Sequence, residues 1–189
     1  MPRIEPLTGS RQPLMLRLMQ WYSRRRFGKE ALPPRILAHN ARFLLPYTSL
    51  AMLSTGKSEI DPGIRQLAMH RVAEVNGCGW CIDFGNKIAL DMGLTPEKLM
   101  AVSDFADSPL FSSSERTALA CADEMARNHG QISEATFDEM QRHFSDREII
   151  ELIVAVAAEG LYNQVNIALE IESEGFCAVP LRQLAHAAA

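Results

Sequence analysis

Hydrophobic positions along the chain recur at spacings of three and four, and no run alternates apolar and polar residues between turn dipeptides. Breakers gather at Pro33-Pro34, Pro46, Ser58 to Gly63, Asn76-Gly77, Gly93 to Pro96, Asp107 to Ser114, Asn128 to Ser133 and Ser145-Asp146. Between them the pattern predicts helices near 13–28, 34–55, 62–76, 78–92, 96–105, 113–128, 133–143 and 146–171. Several starts are signed. Asp61-Pro62 and Thr95-Pro96 each put a capping side chain before a proline at the first helical position, while Ser112 to Glu115 and Ser145 to Glu148 read as capping boxes. The fold class is therefore all-α.

The last helix is the most apolar, with Ile149, Ile150, Leu152, Ile153, Val154, Val156, Leu161 and Val165 distributed around most of its surface. Such a helix belongs at the centre of a bundle or in a subunit interface. Leu119, Met125, Phe137, Met140 and Phe144 recur at helical spacing and read as core.

Hydrophobic residues make up 47% and charged residues 22% of 189 positions, enough apolar surface for one domain with an added terminal arm. A net charge of −4 gives no general attraction to nucleic acid or to an anionic membrane. The basic cluster Arg24-Arg25-Arg26 with Lys29 reads as a solvated helix end. No apolar run approaches the roughly 20 residues of a membrane span. The N-terminal stretch lacks the apolar centre of a secretion signal, which predicts a cytoplasmic protein.

One stretch carries specific chemistry: Arg65 to Gly85, containing Cys78-Gly79-Trp80-Cys81. Asn76-Gly77 terminates a helix, so the cysteines open the next one. Cysteines three apart on a helix share a face, and the first can sit on free amides at the positive end of the dipole, which favours thiolate. That is what a redox dithiol needs, one thiolate attacking and the second thiol resolving the mixed species. Zinc would require two further Cys or His ligands, and Cys121, Cys177, His129 and His143 stand in no such spacing. A pair of unreactive core cysteines is the plain structural alternative. Cys121, among alanines, reads as core, and Cys177 as exposed.

These residues resemble the alkylhydroperoxidase-D-like branch of the carboxymuconolactone decarboxylase family. A helix ending Asn76-Gly77 leads into Cys78-Gly79-Trp80-Cys81, followed later by Ser108-Pro109-Leu110, by Ser114 to Leu119, by His143 to Asp146 and by Leu161 to Asn166. The likeness spans about residues 30–172 and implies three segments: an N-terminal helical arm over 1–30, the family domain over 31–175, and a tail over 176–189. It implies a helical, homo-oligomeric protein (trimer, hexamer or dimer) without metal or other cofactor. It further implies a thiol oxidoreductase acting on a small peroxide or on the disulfide of a partner protein, Cys81 attacking and Cys78 resolving. Two other readings stay open, a carboxymuconolactone-type decarboxylase and a non-enzymatic oligomeric member.

The family's relay glutamate and histidine fall at positions occupied here by Gln66 and Gly85. Gln66, His70 and Glu74 form one stripe at spacing four. If the two helices pack antiparallel, His70 lies at the height of Gly85 and fills the room the glycine leaves. His70 then serves as proton relay, with Glu74 or Asp83 as the second carboxylate; the equal alternative is a half-buried helix residue hydrogen-bonded to a neighbour. An imidazole titrating at about 6.5 beside a thiol acts as base or stabilises the thiolate.

Overall fold

A computed structural model describes residues 1–9 and 12–177 and is all-helical, with no strand among the described residues. The order is α1 (Leu14–Phe27), α2 (Leu32–Leu37), a 3₁₀ segment (Ala38–Phe43), α3 (Leu44–Thr55), α4 (Pro62–Asn76), α5 (Gly79–Asp91), α6 (Pro96–Met100), α7 (Ser113–Arg127), α8 (Glu134–His143) and α9 (Asp146–Ala168). Of the tail expected over 176–189, residues 178–189 lie outside the described residues.

The signed helix starts are used as read. Asp61 accepts from the amides of Gly63 and Ile64, and Ser112 with Glu115 and Ser145 with Glu148 form complete capping boxes. Three expected helices are shorter than their patterns, the one over 96–105 stopping at Met100 before a 3₁₀ turn over Val102–Asp104. The 34–55 pattern is cut at Asn40, whose backbone (φ −125°, ψ 83°) is not helical. Pro46 has no amide to continue a helix from upstream, so α3 restarts at Leu44 and carries the proline in its first turn. The 146–171 pattern ends at Ala168, because Glu170 turns left-handed (φ 54°) and the amide of Ile171 returns to the carbonyl of Asn166.

Helix α4 lies at the centre. Its Ala68 and Val72 pack against Ala118, Cys121 and Ala122 of α7 and against Leu152 and Val156 of α9, and the small side chains let the helices approach closely. A second cluster joins Leu67 of α4 to Ala89, Leu99, Phe111 and Leu119. Of the stripe read as core, Leu119, Met140 and Phe144 are buried and Phe137 is exposed. Helix α9 has one face in the core, while Ile150, Val154 and Leu161 are 62%, 46% and 45% exposed.

The N-terminal arm is docked on the domain. Leu16 packs with Ala38 and Leu44, and the amide of Arg3 bonds the carbonyl of Leu169. The basic cluster is largely engaged: Arg24 with Glu30, Arg26 with Asp91, and Lys29 on the carbonyls of Glu174 and Gly175. Among the described residues no helix is long and apolar enough to cross a membrane.

Candidate active site

The dithiol sits where the turn predicts. Gly77 adopts φ 70°, and the amides of Gly77 and Cys78 close the end of α4 on Glu74 and Ala73. Cys78 is the N-cap of α5 and its sulfur accepts the amide of Cys81 at 3.3 Å. The two cysteines form a disulfide, with Cα atoms 5.3 Å apart. Both are enclosed, Cys78 at 1% and Cys81 at 6% exposure.

Two surrounding structures hold the pair. From α9, the side-chain amide of Asn166 donates to Sγ of Cys81 at 3.4 Å, and its Oδ1 is buried without a partner. One turn earlier, Asn163 donates to Glu159 Oε1 at 2.6 Å and accepts from the side chain of Asn76 at 3.0 Å. Burial pushes the Glu159 carboxyl up to about 7, against the lowering pull of the Asn163 bond.

Past α9 the chain returns as a strap over the first turns of α5. Asp83 accepts the amides of Glu174, Phe176 and Cys177 at 3.1, 2.9 and 2.8 Å. Glu174 Oε2 in turn accepts the indole N–H of Trp80 at 2.7 Å and the amide of Leu32 at 2.9 Å. Trp80 stacks on Phe84, and Phe27 and Phe176 meet Phe84 edge-on, so the strap closes over aromatic rings. Asp83 is therefore the strap's anchor.

His70 and Glu74 are both on α4, with Nε2 3.4 Å from Oε1. Glu74 also takes Arg71 at 3.1 Å. The imidazole is buried and its Nδ1 has no partner; neither ring nitrogen is hydrogen-bonded to a cysteine. The place opposite Gly85 belongs to Gln66, one turn before His70: Gln66 Nε2 donates to the Gly85 carbonyl at 3.1 Å. Helix α5 begins only at Gly79, after a turn spent on Gly77 and Cys78, so counting outward from Cys78 misplaces the register by a turn. Cys121 is fully buried, and its thiol is pushed up to about 12, by burial first and by Glu124 second.

Glu159 and the strap residue Glu174 are absent from the sequence reading, and Asn163 and Asn166 entered it only as part of the resemblance. Their signal was present: Glu159, Asn163 and Asn166 are polar positions at spacings of four and three, which puts them on one face of the helix.

The profile of the carboxymuconolactone decarboxylase family matches residues 41–124. An uncharacterized protein of Escherichia coli K12, YnjA, is 30% identical over 173 residues, covering 90% of this chain and 94% of its own length. The chain belongs to the carboxymuconolactone decarboxylase family. Its fold is shared with several solved structures. A complex of the debrominase Bmp8 with 2,3,4-tribromopyrrole superposes with a TM-score of 0.82 at 21% identity, covering 92% of each chain. The alkylhydroperoxidase AhpD core of a peroxidase-related protein from Ralstonia eutropha JMP134 gives 0.81 at 17% identity, covering 93% of this chain and 94% of that one. Likeness at these identities concerns the fold.

Proposed function

We propose that this family member is a thiol-dependent oxidoreductase whose Cys78–Cys81 pair cycles between dithiol and disulfide, reducing a small peroxide or a partner protein's disulfide. The observation that carries the reading is the pair itself, disulfide-linked at a helix N-cap, with one sulfur facing a backbone amide and the other the Asn166 amide. Both donors favour a sulfur anion over a thiol.

In this reading the Cys81 thiolate attacks one peroxide oxygen. The O–O bond breaks, the alcohol or water leaves with a proton, and sulfur is left as sulfenic acid. The Cys78 thiol then attacks that sulfur, water leaves and the disulfide forms; an external dithiol restores the pair by exchange. His70 and Glu74 handle the protons. The unpartnered Nδ1 of His70 supports that role, since a buried ring nitrogen without a partner is open to a proton-bearing group.

A second reading rests on the aromatic cluster of Trp80, Phe84, Phe27 and Phe176 beside the pair. An apolar aromatic setting suits an apolar substrate, and Bmp8, named a debrominase, binds a brominated pyrrole. On this reading the Cys78–Cys81 dithiol of the present chain would supply two electrons, a substrate carbon would exchange halogen for hydrogen, and halide would leave with a proton as the disulfide forms.

The proposed protein is cytoplasmic and a homo-oligomer. The exposed apolar side chains of α9 and those of α3, among them Leu45 and Met52, support a face covered by another copy.

The deciding experiment is free-thiol titration followed by peroxide consumption with a dithiol donor, on wild type, Cys78→Ser and Cys81→Ser. Turnover lost in both variants is expected. Thiols that cycle while peroxide is untouched would move the case to the halogenated substrate. Motif thiols inert to oxidant would leave a decarboxylase or a non-enzymatic member, a reading that Gln66 and Gly85 at the relay positions favour.

A further inference from the structure

Glu159 is the group in this fold that the proposed chemistry leaves unused. It is 9% exposed, flanked by Ala158 and Gly160 on an apolar helix, and burying a carboxyl there is costly. A glutamine would accept the same Asn163 bond without that cost, so the bond alone does not account for an ionisable residue.

Its connections lead to the dithiol. Asn163 is fully buried and has both ends of its amide engaged, Nδ2 on Glu159 and Oδ1 on Asn76. Asn76 is the last residue of α4 and precedes Gly77, whose left-handed backbone aims the chain into Cys78. Asn166, on the same face of α9 as Glu159 and Asn163, bonds Cys81. One buried carboxyl thus reaches the turn that carries one cysteine and shares a helix face with the amide on the other.

We propose that Glu159 is a positioning residue of the dithiol, holding Asn163 and through it the Asn76–Gly77 turn, and that its carboxyl takes up a proton when the disulfide is reduced. The step balances. An external dithiol gives two electrons and two protons and becomes a disulfide. The Cys78–Cys81 bond breaks, one sulfur takes a proton as thiol, the second proton goes to the Glu159 carboxylate, and the other sulfur remains a thiolate. The new sulfur anion and the carboxylate would otherwise share a buried region as like charges, which raises the carboxyl's proton affinity. The enclosed site thereby keeps a reactive thiolate without adding a net charge. Titration near neutrality, set by burial, puts the carboxyl in the range where it responds.

The titratable groups that sense this charge are Tyr47 of α3 and Tyr162 of α9, both raised by burial first and then by neighbouring charge that includes Glu159. Charged side chains of the other packed helices are committed elsewhere: Arg65 to the Gly56 carbonyl, His70 to Glu74, Arg71 to Asp123, Asp83 to the strap and His143 to Glu139.

This rests on the redox reading of the dithiol, but its test needs no substrate. Reduced-minus-oxidised infrared difference spectra near neutral pH should show a protonated-carboxyl band gained on reduction by dithiothreitol. The band should shift in Glu159→Asp and vanish in Glu159→Gln. In parallel, the iodoacetamide alkylation rate of the reduced protein should show an inflection at a pH above that at which burial alone places the carboxyl, which Glu159→Gln abolishes and Glu159→Asp restores. A wild-type spectrum without the band, or a Glu159→Gln alkylation profile superimposable on wild type, overturns the proposal. If the band is found and peroxide is not reduced, the peroxidase reading fails and this inference stands. A pair that dithiothreitol cannot reduce sinks both.

Discussion

Gln66 and Gly85 meet across the α4–α5 pair: the Gln66 side-chain amide donates to the Gly85 carbonyl at 3.1 Å. These are the two positions at which the resemblance read from the sequence implies a glutamate and a histidine. They form one contact, so the two departures are coupled. A Cβ at Gly85 would stand 3.5 Å from Gln66 Nε2, an ordinary contact, but an imidazole must displace that amide. Gly85→His alone is therefore expected to destabilise and to leave thiol reactivity near wild type. Gln66→Glu with Gly85→His should raise the neutral-pH alkylation rate of the reduced pair above either single variant. A double variant no faster than wild type would show that the departures do not limit the chemistry.

For His70, the expected outcome is that His70→Ala, still folded by circular dichroism, slows peroxide turnover by about 10²–10⁴-fold, the usual cost of losing a positioned acid or base. Unchanged turnover between about pH 6 and 9 would make the His70–Glu74 pair structural.

Asp83 holds the strap by three backbone amides. Asp83→Ala removes an ionised acceptor and is expected to cost about 3 kcal/mol in urea unfolding. With the strap released, reduction of the disulfide by a bulky phosphine should speed up, and Trp80 fluorescence should change as its bond to Glu174 loosens. Wild-type reduction kinetics in this variant would mean that the reductant enters by another face.

Glu159 gives a pH signature of stability. Burial raises its pKa in the folded state to about 7, above the ordinary glutamate value. Between those two values the folded protein holds a proton that the unfolded chain has lost. Stability is therefore fully present below the unfolded value, falls as pH rises through 7, and is flat beyond. The whole effect is at most about 3 kcal/mol. Glu159→Gln should flatten the dependence of Tm on pH across this window and exceed wild type at about pH 8. Parallel curves would show that Glu159 titrates like an exposed carboxylate.

The exposed face of α3 and α9 predicts assembly. Light scattering at micromolar concentration should give a homo-oligomer, and Ile150→Glu, at a position 62% exposed, should reduce its size without unfolding the chain. A monomeric wild type removes this expectation.

The sequence by itself determined the local structure. Capping side chains, prolines and Asn76-Gly77 set most helix ends, because a helix terminus is satisfied by residues within a few positions of it. The same locality placed Cys78 at a helix start and put the two cysteines on one face. Contacts between helices were decided only by the tertiary structure. Residue spacing put His70 opposite Gly85, whereas the crossing of α4 on α5 gave that place to Gln66. Nothing near the motif announces Asn166, 85 residues beyond Cys81, or the strap that Asp83 draws over Trp80. These bonds depend on how α9 crosses α4 and where the chain turns at Glu170, and both follow from packing volumes summed over the core.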